Sequence, residues 1–222
     1  MPRVLPAEIE RFVRATAPDG DVVLDEMERY AREHDFPIVG PDVGAALRIV
    51  ARLVDARRIF EFGSGYGYSA YWFAGALPAG GELVLTEVDE DELTAAKEFI
   101  DRGAFDAEAR YELGDALDTI DRYDGPFDVV LLDHQNHRYR EAFEAVREKL
   151  SPGGVVVADN VIAAGDVDFD SLLALIEGDD PGVVDENTRG IATYLDTVRA
   201  DPQFETVVLP LGEGVSVSCK LG

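Results

Sequence analysis

Hydrophobic positions change their spacing along the chain, and the change divides it into two regimes. Through about residue 55 they recur at intervals of three and four, as on one face of an α-helix. In PDVGAALRIVARLV, Val43, Leu47, Val50 and Val54 keep this spacing behind a Pro-Asp start. Further on, short apolar runs alternate with amphipathic stretches. RRIFEF, ELVLTEV, ARYELG, FDVVLLD and GVVVAD read as strands, separated by helices near 68–77, 90–102, 115–122 and 138–150. That alternation predicts a parallel sheet with right-handed crossovers. PGG at 152–154 predicts a turn between a helix end and the fifth strand. The tail differs again: FETVVLPL, GEG and VSVSCK read as an antiparallel hairpin. With no repeat, linker or low-complexity segment, residues 1–222 are expected to form one domain, with 1–55 as its helical cover.

Composition narrows the class. A chain of 222 residues, 46% hydrophobic, can bury one well-packed core. No apolar run reaches 18 residues, so no membrane-spanning helix is expected. The opening MPRVLPAEIERFVR has no apolar signal core, from which a cytoplasmic location is expected. Cys219 is alone, which excludes an intrachain disulfide, and reads as a small residue in a late strand. Acids outnumber bases 45 to 20, for a net charge of −25 spread along the whole chain. This predicts a solvated acidic surface of halophilic type, since salt screens self-repulsion. Such a surface repels nucleic-acid phosphate, so a nucleic-acid partner is not expected.

In an open parallel sheet, ligands bind outside the carboxyl ends of the strands. The polar residues of interest fall there. After the first strand come Glu61, Gly63, Gly65 and Gly67, then a helix beginning near Tyr68. Glycines permit close backbone approach, and a helix start offers free N–H groups. A dinucleotide site calls for G-x-G-x-x-G; here the third glycine arrives one residue early and Tyr68 fills its place. The spacing G-x-G-x-G, with an acid two residues ahead, better suits the S-adenosylmethionine of a methyltransferase. Glu87 ends the second strand, where a carboxylate can accept both hydroxyls of a nucleotide ribose. After the third strand stand Asp115 and Ala116; Asp115 either accepts from an adenine amino group or caps the following helix.

Asp133 ends the fourth strand, and Asp159 and Asn160 end the fifth. If those strands are neighbours, their ends lie about 5 Å apart. Two carboxylates and an amide oxygen, with no thiolate nearby, suit Mg²⁺ or Ca²⁺. Taken separately, each is also an ordinary strand-ending turn residue. His134 and His137 share the loop after Asp133, and read better as polar or ligand-stacking groups than as zinc ligands.

These segments carry a family likeness. LLDHQNHRY and GGVVVADNVIAAGDVDF resemble the core of catechol O-methyltransferase and the related cation-dependent O-methyltransferases. EFGSGYGYS and LTEVDED resemble that family's cofactor-binding segments, and FPIVGPDVG the segment covering the cofactor from the N-terminal side. The likeness runs from about Pro37 to Phe169 and returns at the final hairpin. It implies a Rossmann-like, doubly wound α/β sheet of seven strands, preceded by N-terminal helices and ending in an antiparallel pair. By position it implies magnesium at Asp133, Asp159 and Asn160. It implies the amino-acid end of S-adenosylmethionine at Val39, Glu61, Gly63 and Ser69, its ribose at Glu87 and its adenine beside His134. Gly65, Asp115, Ala116 and Asp133 are expected along the same cofactor. Tyr194-Leu195-Asp196 resembles a segment whose carboxylate faces the substrate hydroxyl.

One departure bears on the chemistry. The family places a general-base lysine three residues after the first metal aspartate, where this chain has Asn136. An amide cannot take the proton. None of the three lysines (Lys97, Lys149 and Lys220) lies in a recognised site segment, which leaves His137 as the nearby replacement. Gln135 stands where catechol enzymes wall the substrate with an aromatic ring. The expected activity is magnesium-dependent methyl transfer to a diphenol-like small molecule, with Asp133, Asn136 and His137 at the catalytic position, in a monomer or homodimer. A tRNA-base hydroxyl methyltransferase of the same family and a non-catalytic S-adenosylmethionine and metal-binding module remain as alternatives.

Overall fold

In the computed structural model, which describes residues 4–165 and 167–222, the helical N-terminal pattern is cut into three. Pro18, Gly20 and Pro37 interrupt it, leaving α1 (Ala7–Thr16), α2 (Val22–His34) and α3 (Gly40–Leu53). Asp21 caps α2, its carboxylate accepting the N–H groups of Val23 and Leu24 at 2.9 and 3.0 Å. α2 and α3 bury apolar faces, whereas α1 has no buried residue.

The sheet follows: β1 (Arg58–Phe62), β2 (Glu82–Glu87), β3 (Glu108–Leu113), β4 (Phe127–Leu132), β5 (Leu150–Ala158), β6 (Phe204–Leu209) and β7 (Val215–Lys220). Their order is β3-β2-β1-β4-β5-β7-β6, with β1 to β5 parallel and β7 antiparallel to both neighbours. This is the expected seven-stranded, doubly wound sheet. The crossovers carry α4 (Tyr68–Ala74), α5 (Glu90–Gly103), α6 (Ala116–Ile120) and α7 (Tyr139–Val146). Successive strand residues point to opposite faces, and the core divides accordingly. Ile59, Leu85, Leu131 and Val157 pack with α2 to α5, while Phe60, Phe62, Leu132 and Ala158 pack with α6, α7 and the later helices.

Three features depart from the predicted elements. The PGG turn is absorbed into β5, which starts at Leu150. The register jumps there from Phe127↔Leu150 to Val129↔Val155, and Gly153 takes φ +78, so a bulge replaces the turn. The helix predicted over 138–150 is α7 followed by a 3₁₀ turn at Arg147–Lys149. Two helices were not predicted, α8 (Phe169–Glu177) and α9 (Glu186–Ala200), and both cover the second face. None of the described helices is long and apolar enough to cross a membrane.

Candidate active site

The strand order reverses between β1 and β4, and at such a switch point the crossovers part and leave a crevice at the carboxyl ends. A cavity of about 910 Å³ opens there, bordered by Val39, Gly63, Gly65, Ser69, Glu87, Asp133, His134, Asp159 and Asn160. A smaller one of about 310 Å³ shares Gly63, Glu87 and His134, and adds Asp115 and Ala116. The residues expected along the cofactor and the cation thus border one crevice, apart from Glu61, which lies just beneath it as the penultimate residue of β1.

The glycine turn is shaped by the chain's own packing. A Cβ on Gly63, at φ +79, would stand 2.5 Å from the Asp133 carbonyl oxygen, so β1 and β4 end in contact only because that residue is glycine. Gly67, at φ +86, lies against Ala96 of α5, where a Cβ would come within 2.9 Å. Glu87 ties the turn to β2: its carboxylate accepts from Gly65 N–H at 2.9 Å, Val88 at 2.7 Å and Asp89 at 3.1 Å. Asp115 resolves the alternatives left open for it in one direction. One oxygen caps α6 at Leu117 N–H (2.9 Å) and the other accepts from Arg138 at 2.6 Å, which holds its carboxyl below the usual range. Asp115 nonetheless remains among the residues that border the smaller cavity.

The acids define the electrostatics. Glu61 is fully buried and neither of its oxygens has a hydrogen-bond partner. Burial pushes its carboxyl up to about 8; the nearby Ser69 hydroxyl pulls the other way without forming a well-made bond. Because Leu132 of β4 is in register with Ala158 of β5, Asp133 and Asp159 stand side by side on adjacent strands. Asp159 is 3% exposed, its Oδ1 has no partner, and burial pushes it up to about 7, with Glu213 and Asp42 adding to the effect. The Asp133 carboxyl is enclosed and rises well above the usual range, through burial first and then Asp159, Glu61 and Glu213. Asn160 follows in the left-handed region at φ +62, its amide nitrogen donating to Glu213 at 2.9 Å. Among the described residues, no three His, Cys, Asp or Glu side chains form a metal-binding cluster. The oxygen donors on hand are the carboxylates of Asp133 and Asp159, the latter with Oδ1 unpartnered, and the Asn160 amide, a set that fits a hard dication.

His134 stacks on Tyr139 (ring centroids 5.3 Å apart, 20° between planes), and burial and Arg138 lower its ring to about 4. It is a neutral, apolar-sided ring at the cavity wall. Asn136 and His137 are placed differently. Neither borders the cavities; they form a 3₁₀ turn pressed against α9, and His137, exposed, meets Asn187 Oδ1 at 3.3 Å. The expected base at His137 is therefore not brought to the acids. Nor is a lysine: Lys149 and Lys220 donate to the Ile120 and Arg147 carbonyls, both at 2.7 Å, at the opposite end of the sheet. The Tyr194-Leu195-Asp196 segment also turns away, with Tyr194 buried on Ser216 at 3.0 Å and Asp196 exposed.

Residues that the sequence did not single out complete the wall. Asp42 is 6% exposed, with one oxygen that makes no hydrogen bond and pairs only with Arg14 at 3.8 Å, and Glu213 comes from the hairpin tip. A visible signal existed for Glu213, an acid between two glycines in GEG, but it also marks any hairpin turn.

The chain is 34% identical to a catechol O-methyltransferase of Niastella koreensis over 145 residues, 63% of this chain and 66% of that protein. It is 31% identical to the catechol O-methyltransferase of Mus musculus over 180 residues, covering 77% of this chain and 67% of that one. Among solved structures, the O-methyltransferase TomG from Streptomyces achromogenes, in complex with SAM, matches with a TM-score of 0.81 at 26% identity, over 97% of this chain and 96% of that one. An O-methyltransferase from Bacillus cereus, in complex with SAH, matches with a TM-score of 0.79 at 25% identity, over 96% and 97%. The O-methyltransferase family model matches residues 15–221, nearly the whole chain, and the protein belongs to that family.

Proposed function

We propose that this enzyme moves the methyl group of S-adenosylmethionine to a hydroxyl of a catechol-like small molecule, assisted by Mg²⁺ or another hard dication. One observation carries the reading. Three neighbouring strands bring Asp133 and Asp159 to the wall of one crevice and Glu61 to the buried strand end beside it, and both Glu61 oxygens and Asp159 Oδ1 make no hydrogen bond. Enclosed carboxyls without partners are costly until something positive completes them. Two positive groups fit: the donor's ammonium at Glu61, and a dication at Asp133, Asp159 and Asn160. The named relatives are catechol enzymes, which supports a catechol-like acceptor, and the neighbouring structures hold SAM and SAH, which supports the donor.

When bound, such a cation supplies Lewis-acid stabilisation to an ionised acceptor hydroxyl. The chain's own contribution is placement. Glu61 and Ser69 take the amino-acid end of the donor, with Val39, Gly63 and Gly65 bringing backbone against it. Glu87 takes the ribose, and His134, Asp115 and Ala116 border the adenine. The acceptor oxygen attacks the sulfonium methyl in line: an O–C bond forms as the C–S bond breaks, leaving S-adenosylhomocysteine. With Asn136 and His137 outside the cavity wall, neither is the side chain that takes the hydroxyl proton. Labelled S-adenosylmethionine, offered with a panel of ortho-diphenols, mono-phenols and tRNA, tests the reading. Transfer confined to adjacent hydroxyls supports it, and transfer to tRNA alone replaces it.

A further inference from the structure

The turn between β6 and β7 is built into the active-site wall. Val161 N–H donates to the Gly214 carbonyl at 2.9 Å, and the Glu213 carbonyl accepts from Ile162 at 3.1 Å and Ala163 at 2.8 Å. Two glycines make the fit possible. A Cβ on Gly214, at φ +97, would stand 2.3 Å from Ile162 Cγ1; on Gly212, at φ +54, it would stand 2.6 Å from Val43 Cγ2. The turn is wedged between α3 and the loop after β5, so its backbone has little room to shift. This wedge delivers the Glu213 side chain across 53 residues of sequence to Asn160, whose Nδ2 donates to Oε2 at 2.9 Å.

An asparagine amide has a donor end and an acceptor end, exchanged by half a turn of the side chain. A carboxylate only accepts, so the pairing with Glu213 fixes the nitrogen on that side and leaves the oxygen unengaged. A cation needs the oxygen. We infer that Glu213 is a positioning residue of the cation site: it orients the Asn160 amide so that oxygen, not nitrogen, joins Asp133 and Asp159. The inference rests on the cation reading of those three residues. Partners of metal ligands in the outer shell commonly alter metal affinity by about 10–100-fold, which sets the size of the effect.

Mn²⁺ titration of the full chain, followed by electron paramagnetic resonance, tests it, with S-adenosylmethionine affinity by calorimetry as a second readout. Glu213→Ala should weaken Mn²⁺ binding by about 10–100-fold. Its donor affinity and melting temperature should hold, since the backbone bonds of the turn do not use the side chain. Glu213→Gln, nearly the same shape, still presents an oxygen to Asn160 Nδ2 and should recover most of the Mn²⁺ affinity. Undiminished Mn²⁺ binding by Glu213→Ala overturns the inference. Equal weakness in both variants also overturns it, because charge instead of orientation would then be the cause. A wild-type chain that binds no Mn²⁺, or an Asp159→Ala variant that binds it normally, is a different result: the cation reading fails there and takes the inference with it.

Discussion

Glu61 shows how one buried acid couples folding to the donor. Its carboxyl, at about 8, is far above the unfolded value of about 4.3. A group raised on folding adds stability at low pH and loses it as pH climbs through the folded value. The ligand-free chain should therefore melt progressively lower between about pH 5 and pH 8 and level off above. Glu61→Gln should flatten that decline, and added S-adenosylhomocysteine, bringing an ammonium, should offset it. Thermal melts across pH check all three; equal slopes in wild type and Glu61→Gln would show that Glu61 does not carry the effect. At this scale the acids were legible in sequence because each closes or nearly closes an apolar strand, and strand ends have a known place in this fold. Asn136 and His137 were not, because the direction of a loop is set by what packs on it. Glu213 was hidden for the same reason: its role exists only once the hairpin folds back onto β5.

Among the elements, α9 decides where the loop after β4 goes. Gly190 meets the Asn136–His137 backbone so closely that a Cβ would lie 2.3 Å from His137 Cα and 2.8 Å from the Asn136 carbonyl oxygen. Gly190→Ala must push the two apart, costing about 1–3 kcal/mol as overpacking does. Denaturant unfolding should show that loss; a variant as stable as wild type would mean the contact is slack. Helix α9 was itself readable, since Ile191, Tyr194, Leu195 and Val198 follow helical spacing. Tyr194 of the Tyr194-Leu195-Asp196 segment belongs to that pattern, and its burial makes it core. β1, β2 and β4 were legible as apolar runs, and β3 as an alternation of apolar and charged residues. The start of β5 was not, because Ser151, Pro152, Gly153 and Gly154 stay in the strand through a bulge that turn chemistry alone does not foretell.

For the whole molecule, the charge of −25 acts on the folded state as self-repulsion. At about 0.1 M salt the screening length is about 10 Å, and at 1 M about 3 Å, so salt should raise the melting temperature of the ligand-free chain. A melting temperature indifferent to potassium chloride would remove the salt-adapted reading of its surface. The same excess of acid converges on the crevice through Asp42, Asp133, Asp159 and Glu213, with Glu61 buried beside them, and there its consequence is chemical. The most direct test of that consequence is methyl transfer from S-adenosylmethionine to an ortho-diphenol, measured with Mg²⁺, with excess chelator, and with Asp159→Ala. Turnover is expected with Mg²⁺, none in chelator until Mg²⁺ is restored, and none in Asp159→Ala despite undiminished donor binding. Full turnover in excess chelator would contradict it, leaving Asp133, Asp159 and Asn160 as acids and an amide that only shape the strand ends.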